Sequence, residues 1–346
     1  MLLQKFRPTS KLVAKTTLVE KPRFPVIDAH NHLAEPFGGG WDQRPVGVLL
    51  EQLAAAHVTH YVDLDGGWGE DILQRHLEHF KRAAPKTFSI FGGVDWDKWV
   101  ELGDAFPEYA AKRLEVQKRW GAEGLKIWKP FGLHVRDQHG ERVKVDDPRL
   151  APIWETAGAL NLPVLIHVAD PVAFFDPIDE TNERWEEIGN HPDWAFTSPT
   201  FPPFIEILNG LKSLVTHHTS TTFIGAHVGC YGENLDWVGQ MLDDCPNYFI
   251  DISARLGELG RQPYTARRFF LHYADRILFG SDMGPDLDAY RLCYRLLETD
   301  DEYFNYNVSE VPAQGRWYVY GLYLPDDVLE KVYRKNAERI LGGQHG

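Results

Sequence analysis

The side chains best suited to chemistry are histidines and an aspartate at the ends of apolar runs. His30 and His32 lie two residues apart in Asp28-Ala29-His30-Asn31-His32. In a strand, residues two apart point to one face, so both imidazoles project together and can bind one ion. His167 closes LPVLIH, His227 closes TFIGAH and Asp282 closes ILFGSD. Each is the first or nearly the first ionisable group after its run. One histidine so placed is more often a hydrogen-bonded structural residue. Four histidines and an aspartate in five matching places point instead to one shared site. Three or four nitrogen and oxygen donors with an open position describe a catalytic zinc site or a related divalent site.

The elements that must carry these groups follow from hydrophobic patterning. Eight short apolar runs read as strands: 25–31, 59–65, 87–94, 124–129, 162–168, 221–227, 247–253 and 276–282. Their near-continuous hydrophobicity is that of parallel strands buried on both faces. Helical spacing fills the intervals at 46–57, 71–84, 107–120, 148–160, 233–245, 263–273 and 325–341. Eight strands alternating with helices predict an α/β chain, a (β/α)8 TIM barrel in which strand ends converge on one cup. The competing fold, an open doubly wound sheet, would want a glycine-rich phosphate loop after an early strand. The glycines Gly38–Gly40 lack the rest of that fingerprint. Residues 1–24, basic and threonine-rich, are expected to form an extended arm, packed on a neighbouring subunit if the protein is a homo-oligomer. Residues 25–346 are expected to form one barrel domain. Two long intervals, 174–203 and 283–323, leave the carboxyl ends of strands and read as lids or binding elements.

In this order, IDAHNH, VLIHVAD, FIGAHVG and ILFGSD resemble the amidohydrolase superfamily. The likeness is to its amidohydrolase-related branch, which includes aminocarboxymuconate semialdehyde decarboxylases and aromatic-acid decarboxylases. It spans the barrel from about Phe24 to Leu341. By this resemblance His30, His32, His167 and Asp282 bind one metal. His227 stays near the bound water or substrate as a polarising or proton-handling group. Some decarboxylases of the branch carry glutamate in place of the first histidine; retention of His30 favours hydrolysis.

The expectation is therefore a metal-dependent hydrolase of a small amide, ester or lactone. Zinc is the first choice of ion, with manganese or magnesium as alternatives. The ion lowers the pKa of its water and polarises a carbonyl. Asp282 takes the proton from that water and passes it to the leaving group, while His227 stabilises the oxyanion. The alternative is non-oxidative decarboxylation of an aromatic or unsaturated acid, with Asp282 or His227 protonating carbon. Lys126 and Lys129 close the fourth run. Lys126 could carry a carbamate bridging two metals, and either lysine could grip a substrate carboxylate or form a structural ion pair. Arg255, just past the seventh run, suits bidentate carboxylate binding or a rim salt bridge. Asp63 and Asp65 could orient the histidine ligands or cap the next helix. Trp41, Trp68, Trp96 and Trp128 could wall a pocket.

Bulk composition narrows the partners. A net charge of −14 over 346 residues disfavours nucleic acid and anionic membranes, leaving a small-molecule substrate. Apolar residues at 43% suffice for a large core. Cys230, Cys245 and Cys293 lack CxxC spacing and are expected to be reduced thiols of a cytoplasmic protein. The N-terminal residues have no signal-peptide pattern, and no run is long enough to cross a bilayer.

Overall fold

A computed structural model describes residues 5–6 and 8–342. Eight parallel strands follow one another in sequence order around a single sheet. They are β1 (Val26–Asn31), β2 (Val58–Asp63), β3 (Phe88–Gly92), β4 (Gly124–Ile127), β5 (Val164–Ile166), β6 (Phe223–Gly225), β7 (Tyr248–Asp251) and β8 (Ile277–Leu278). The β1–β8 gap is bridged by hydrogen bonds from Ala29 N to Phe279 O (3.0 Å) and from Asp282 N to His30 O (2.9 Å). With helices between the strands, this is a single-domain (β/α)8 barrel.

The near-continuous apolar character of the runs has a packing cause. Ile27, Ala29, Val62, Phe91, Leu165, Ile224 and Leu278 form a cluster of their own. A larger cluster, with Val26, Tyr61, Leu125, Val164, Phe223 and Ile250, packs with helix residues such as Leu49, Leu114, Trp154 and Leu211. Removing both faces of each strand from water is the main drive for closing the barrel.

Two of the expected helices depart from regularity. Residues 71–84 form Glu70–His76 followed by a wider turn at Leu77–Lys81, and 325–341 is interrupted by a similar turn at Lys331–Lys335. The second turn frees the Val332 carbonyl to accept from Phe279 N (2.9 Å), which continues the backbone pairing where β8 ends. The described part of residues 8–24 has no helix or strand. It binds its own chain: Lys15 meets Asp300 at 2.5 Å, and Thr17 donates to Asp301 from its backbone and hydroxyl at 2.6 and 2.7 Å.

Candidate metal centre

Three of the four predicted ligands, His30, His32 and Asp282, come together at the carboxyl mouth of the barrel, beside the end of β7. His30, His32 and Asp282 place one donor atom each within 4.8 Å of one another, and so do His30, His227 and Asp251. Asp282 Oδ1 is 3.2 Å from His32 Nε2 and 4.0 Å from His30 Nε2, and its Oδ2 is 4.0 Å from His227 Nε2. His167 lies outside both groups among the described residues. It reaches them through the ring of His227, with centroids 4.4 Å apart.

The chain bends sharply to deliver these groups. His227 and Val228 follow β6 with φ of 57° and 59°, and Asp282 follows β8 at 55°. These are left-handed conformations that cost non-glycine residues energy. The β1–β8 seam holds Asp282 in place. Asp28 accepts from Ser281 N (3.0 Å), Ser281 Oγ (2.7 Å) and the Tyr290 hydroxyl (2.7 Å), and Asn31 donates to Ser281 Oγ at 3.0 Å. Burial pushes the Asp28 carboxyl up to about 6, against the effect of those hydrogen bonds. Gly280 allows the seam to close: a Cβ there would stand 2.9 Å from that of His30.

Each histidine of the cluster is oriented from behind. His30 Nδ1 donates to Asp251 Oδ2 at 2.9 Å, and His32 Nδ1 to Asp65 Oδ1 at 2.7 Å. The other Asp65 oxygen accepts from Leu33 N and Ala34 N, both at 2.7 Å. Ser253 Oγ donates to Asp251 Oδ1 at 2.5 Å. His227 Nδ1 lies 3.0 Å from the Ser253 carbonyl, which can only accept, so this nitrogen carries the proton. Neutral His227 therefore presents a bare Nε2 and takes up a proton before it can donate one. His30, His32 and His227 all turn Nε2 inward from an anchored Nδ1, the carboxylate- or carbonyl-backed arrangement of metal-binding imidazoles. His167 Nε2 is buried without a hydrogen bond, 3.4 Å from Asp170 Oδ1. A divalent ion would give this nitrogen a partner closer than Asp170. The donor set thus fits a divalent ion.

Electrostatics divide the cluster. Burial, then the Lys126 ammonium, drives His30 well below its ordinary pKa; burial, then His167, does the same to His227. Burial opposes charge on His32 too, but hydrogen bonds to Asp282 and Asp65 outweigh it and raise its pKa to about 9. Burial would raise the Asp282 carboxyl, yet the His30 and His32 imidazoles hold it below the carboxylate range. Its side chain is 24% exposed against 1% for His30 and 7% for His32, so Asp282 is the member that meets solvent.

The other predicted residues separate. Lys126 is buried in the mouth with Nζ 3.5 Å from His30 Nε2, and burial lowers its pKa to about 8. Lys129 is paired with Asp170 at 2.6 Å and lies 5.1 Å from the ring centroid of Trp194 in the long loop after β5. Arg255 is 4% exposed, and its hydrogen bond goes to the Ala254 carbonyl. It sits beside Glu258, near Gly232, and no salt bridge forms to it among the described residues. Asp65 backs His32, whereas Asp63 accepts from His76 Nδ1 at 2.7 Å, away from the cluster. Trp68, Trp96 and Trp128 line one cavity; Trp41 is buried under Arg44.

Sequence reasoning missed Asp251, Ser253 and Asp170. The signal was present, since Asp251 and Ser253 end the seventh run two residues apart and Asp170 stands in VLIHVAD. The sequence reading gave the orienting role to Asp63 and Asp65 alone.

A family model described as amidohydrolase matches residues 27–343. Solved structures share the fold at low identity. A 2,6-dihydroxybenzoate decarboxylase from Rhizobium is 15% identical, with a TM-score of 0.58, over 91% of this chain and 98% of its own. A dihydroxybenzoic acid decarboxylase from Polaromonas sp. JS666, with bound manganese and the inhibitor 2-nitroresorcinol, is 15% identical, with a TM-score of 0.55, over 91% and 96%. A 5-carboxyvanillate decarboxylase from Sphingomonas paucimobilis is 15% identical, with a TM-score of 0.53, over 89% and 86%. No curated protein matches the chain. Among the described residues no helix is long and apolar enough to cross a membrane.

Proposed function

The chain belongs to the amidohydrolase family, and on that premise we propose that it is a metal-dependent hydrolase of a small amide, ester or lactone. The observation that carries this reading is Asp282: it is solvent-facing and ionised, and its two oxygens face His32 on one side and His227 on the other. His30, His32, His167 and Asp282 would hold one divalent ion, with zinc preferred over manganese or magnesium. When bound, the ion supplies a lowered water pKa and polarises a carbonyl. Asp282 accepts the proton of the attacking water. The bare Nε2 of His227, 4.0 Å away, takes that proton from Asp282, donates to the oxyanion while it holds it, and gives it to the leaving nitrogen or oxygen as the bond to carbon breaks.

A second reading, non-oxidative decarboxylation of an aromatic or unsaturated acid, is favoured by the aromatic cavity beside the cluster. It is also the reaction named for the three solved relatives above. Here Asp282 or His227 protonates the ring carbon as carbon dioxide leaves.

A panel of lactones, esters and amides, assayed in heavy-oxygen water, separates the two. Hydrolysis places one labelled oxygen in a product without carbon dioxide release. If the panel stays silent while hydroxybenzoate-type acids release carbon dioxide and take solvent deuterium onto the ring, the hydrolase reading fails and the second one stands. Elemental analysis should find about one divalent ion per chain, as expected for a four-donor site. Two ions would reject the mononuclear arrangement and make Lys126 a bridging carbamate.

A further inference from the structure

In the long loop after β5, residues 183–187 are bound to their neighbours by arginine–carboxylate pairs. Glu183 meets Arg261 at 2.7 and 3.2 Å, and Glu186 meets Arg316 at 2.6 and 2.7 Å. Between them Arg184 donates to Glu187 at 2.6 Å and to Glu258. Glu258 and Arg261 belong to the helix Leu256–Arg261 after β7, and Arg316 to the segment after β8, so one short stretch fastens these loops together. A glycine makes the fit: a Cβ on Gly260 would collide with Val319.

The pairs are not equivalent. Glu183–Arg261 and Glu186–Arg316 are partly exposed, where ion pairs contribute little. Arg184 and Glu258 are 1% and 0% exposed. Burial would raise the Glu258 carboxyl, but Arg184 and then Arg255 hold it below its ordinary pKa, so both partners are charged. Breaking a buried pair leaves a charge with neither water nor partner, a far larger loss than that of an exposed pair. The seating of the helix against the loop after β5 therefore depends on Arg184.

That helix begins close to the metal centre. Leu259 N donates to the Arg255 carbonyl at 3.1 Å, and Arg255 N to that of Ile252 at 3.3 Å, so the helix and the end of β7 share one run of backbone bonds. Within this run Ala254 has a φ of 52°, a left-handed conformation that an alanine keeps only where its surroundings impose it. The turn aims the Ser253 carbonyl at His227 Nδ1, 3.0 Å away. Arg184 is itself tied back toward Asp170: its backbone N–H donates to Asn182 at 2.9 Å, and Asn182 donates to the Ala173 carbonyl at 2.7 Å.

We infer that Arg184 is a positioning residue for His227. Its ion pair with Glu258 seats the helix that imposes the Ala254 turn, and the turn points the Ser253 carbonyl that keeps the proton on Nδ1 and leaves Nε2 bare. Arg184 touches no reacting atom. The inference rests on the reading above only for the proton-handling role of His227.

The test is proton NMR of zinc-loaded, full-length protein with isotope-labelled histidine, paired with hydrogen–deuterium exchange and a measured metal content. In the wild type the buried, carbonyl-bonded Nδ1–H of His227 should give a ring resonance protected from exchange, identified by its loss in His227→Gln. Arg184→Met, which leaves Glu187 and Glu258 unpaired, should speed exchange of that proton and of amides 253–259 at least about tenfold. Glu258→Gln should do the same while Arg184 stays paired with Glu187, and it decides the matter if Arg184→Met does not fold. Arg316→Met, which removes a partly exposed pair from the same loop, should stay within about twofold of wild type. A His227 proton as protected as in wild type in folded Arg184→Met or Glu258→Gln overturns the inference. So does a quickening that Arg316→Met matches, or one spread equally over the amides of β2, β3 and β4. No turnover is read, so the outcomes separate: a failed hydrolase reading leaves these results as they are, and an unmoved His227 proton removes this inference alone.

Discussion

The two sides of the barrel mouth are built on different principles. On the β1, β7 and β8 side, His30, His227, Asp251, Ser253 and Asp282 interlock through hydrogen bonds mostly of 2.5–3.1 Å, with Asp28 and Ser281 fastened beneath them. Opposite, after β2, β3 and β4, the walls are ring faces and open space, and the groups meet by stacking. A reaction needs donor atoms fixed to within fractions of an ångström, which charged hydrogen bonds provide. Recognition of a ring needs area and shape, and aromatic walls supply these without fixing one substrate. Substrate preference can therefore change on one side while the chemistry stays intact on the other.

Mutations on each side should break differently. Asp282→Asn removes the proton acceptor and should lower kcat about a thousandfold with the fold unchanged; activity within tenfold of wild type would remove Asp282 from proton transfer. On the recognition side the largest effect should be on stability, at the buried pair of His76 with Asp63 at the end of β2. Burial disfavours charge on His76, but Asp63 outweighs it, so the folded pKa lies above the ordinary 6.5. The contribution of His76 is present just below pH 6.5 and is lost as pH rises through the folded value; at acid pH it fades again as Asp63, whose carboxyl burial pushes up, takes a proton. His76→Asn should cost roughly 3 kcal/mol at pH 6 and less at pH 9. Urea unfolding at both values measures this, and an equal loss at each would contradict the sign. Asp251→Asn loosens His30 without touching an ion, so metal affinity, followed by competition with a chelator, should fall about 10- to 100-fold. Smallest is Trp68→Ala: loss of one stacked ring should raise KM about fivefold and leave kcat within about twofold. If kcat falls instead, the two sides are not separable.

Much of this was legible in the residues themselves. The eight runs, their parallel order and the placing of His30, His32, His167, His227 and Asp282 at strand ends follow from apolar patterning, because both faces of each strand are buried. What patterning could not give were contacts between elements far apart in sequence. Asp251 is 221 residues from the histidine it orients. Lys126 and Lys129 look equivalent in GLKIWKP, yet one is buried in the mouth and the other is bound by Asp170. The proton on His227 depends on a left-handed turn after β6 that no local propensity announces.

The seam between β1 and β8 also bears on how the protein is made. Asp28 and Ser281 are 253 residues apart, and of the groups beside them His30 belongs to the first strand while Asp282 follows the last. On the ribosome, His30 and His32 emerge long before their carboxylate partner, at a pace of roughly 5–20 residues per second. A nascent chain that ends before β8 carries His30, His32, His167 and His227 but no Asp282 to complete the proposed site. The proposed site is thus completed only when Asp282, just past β8, joins the first strand.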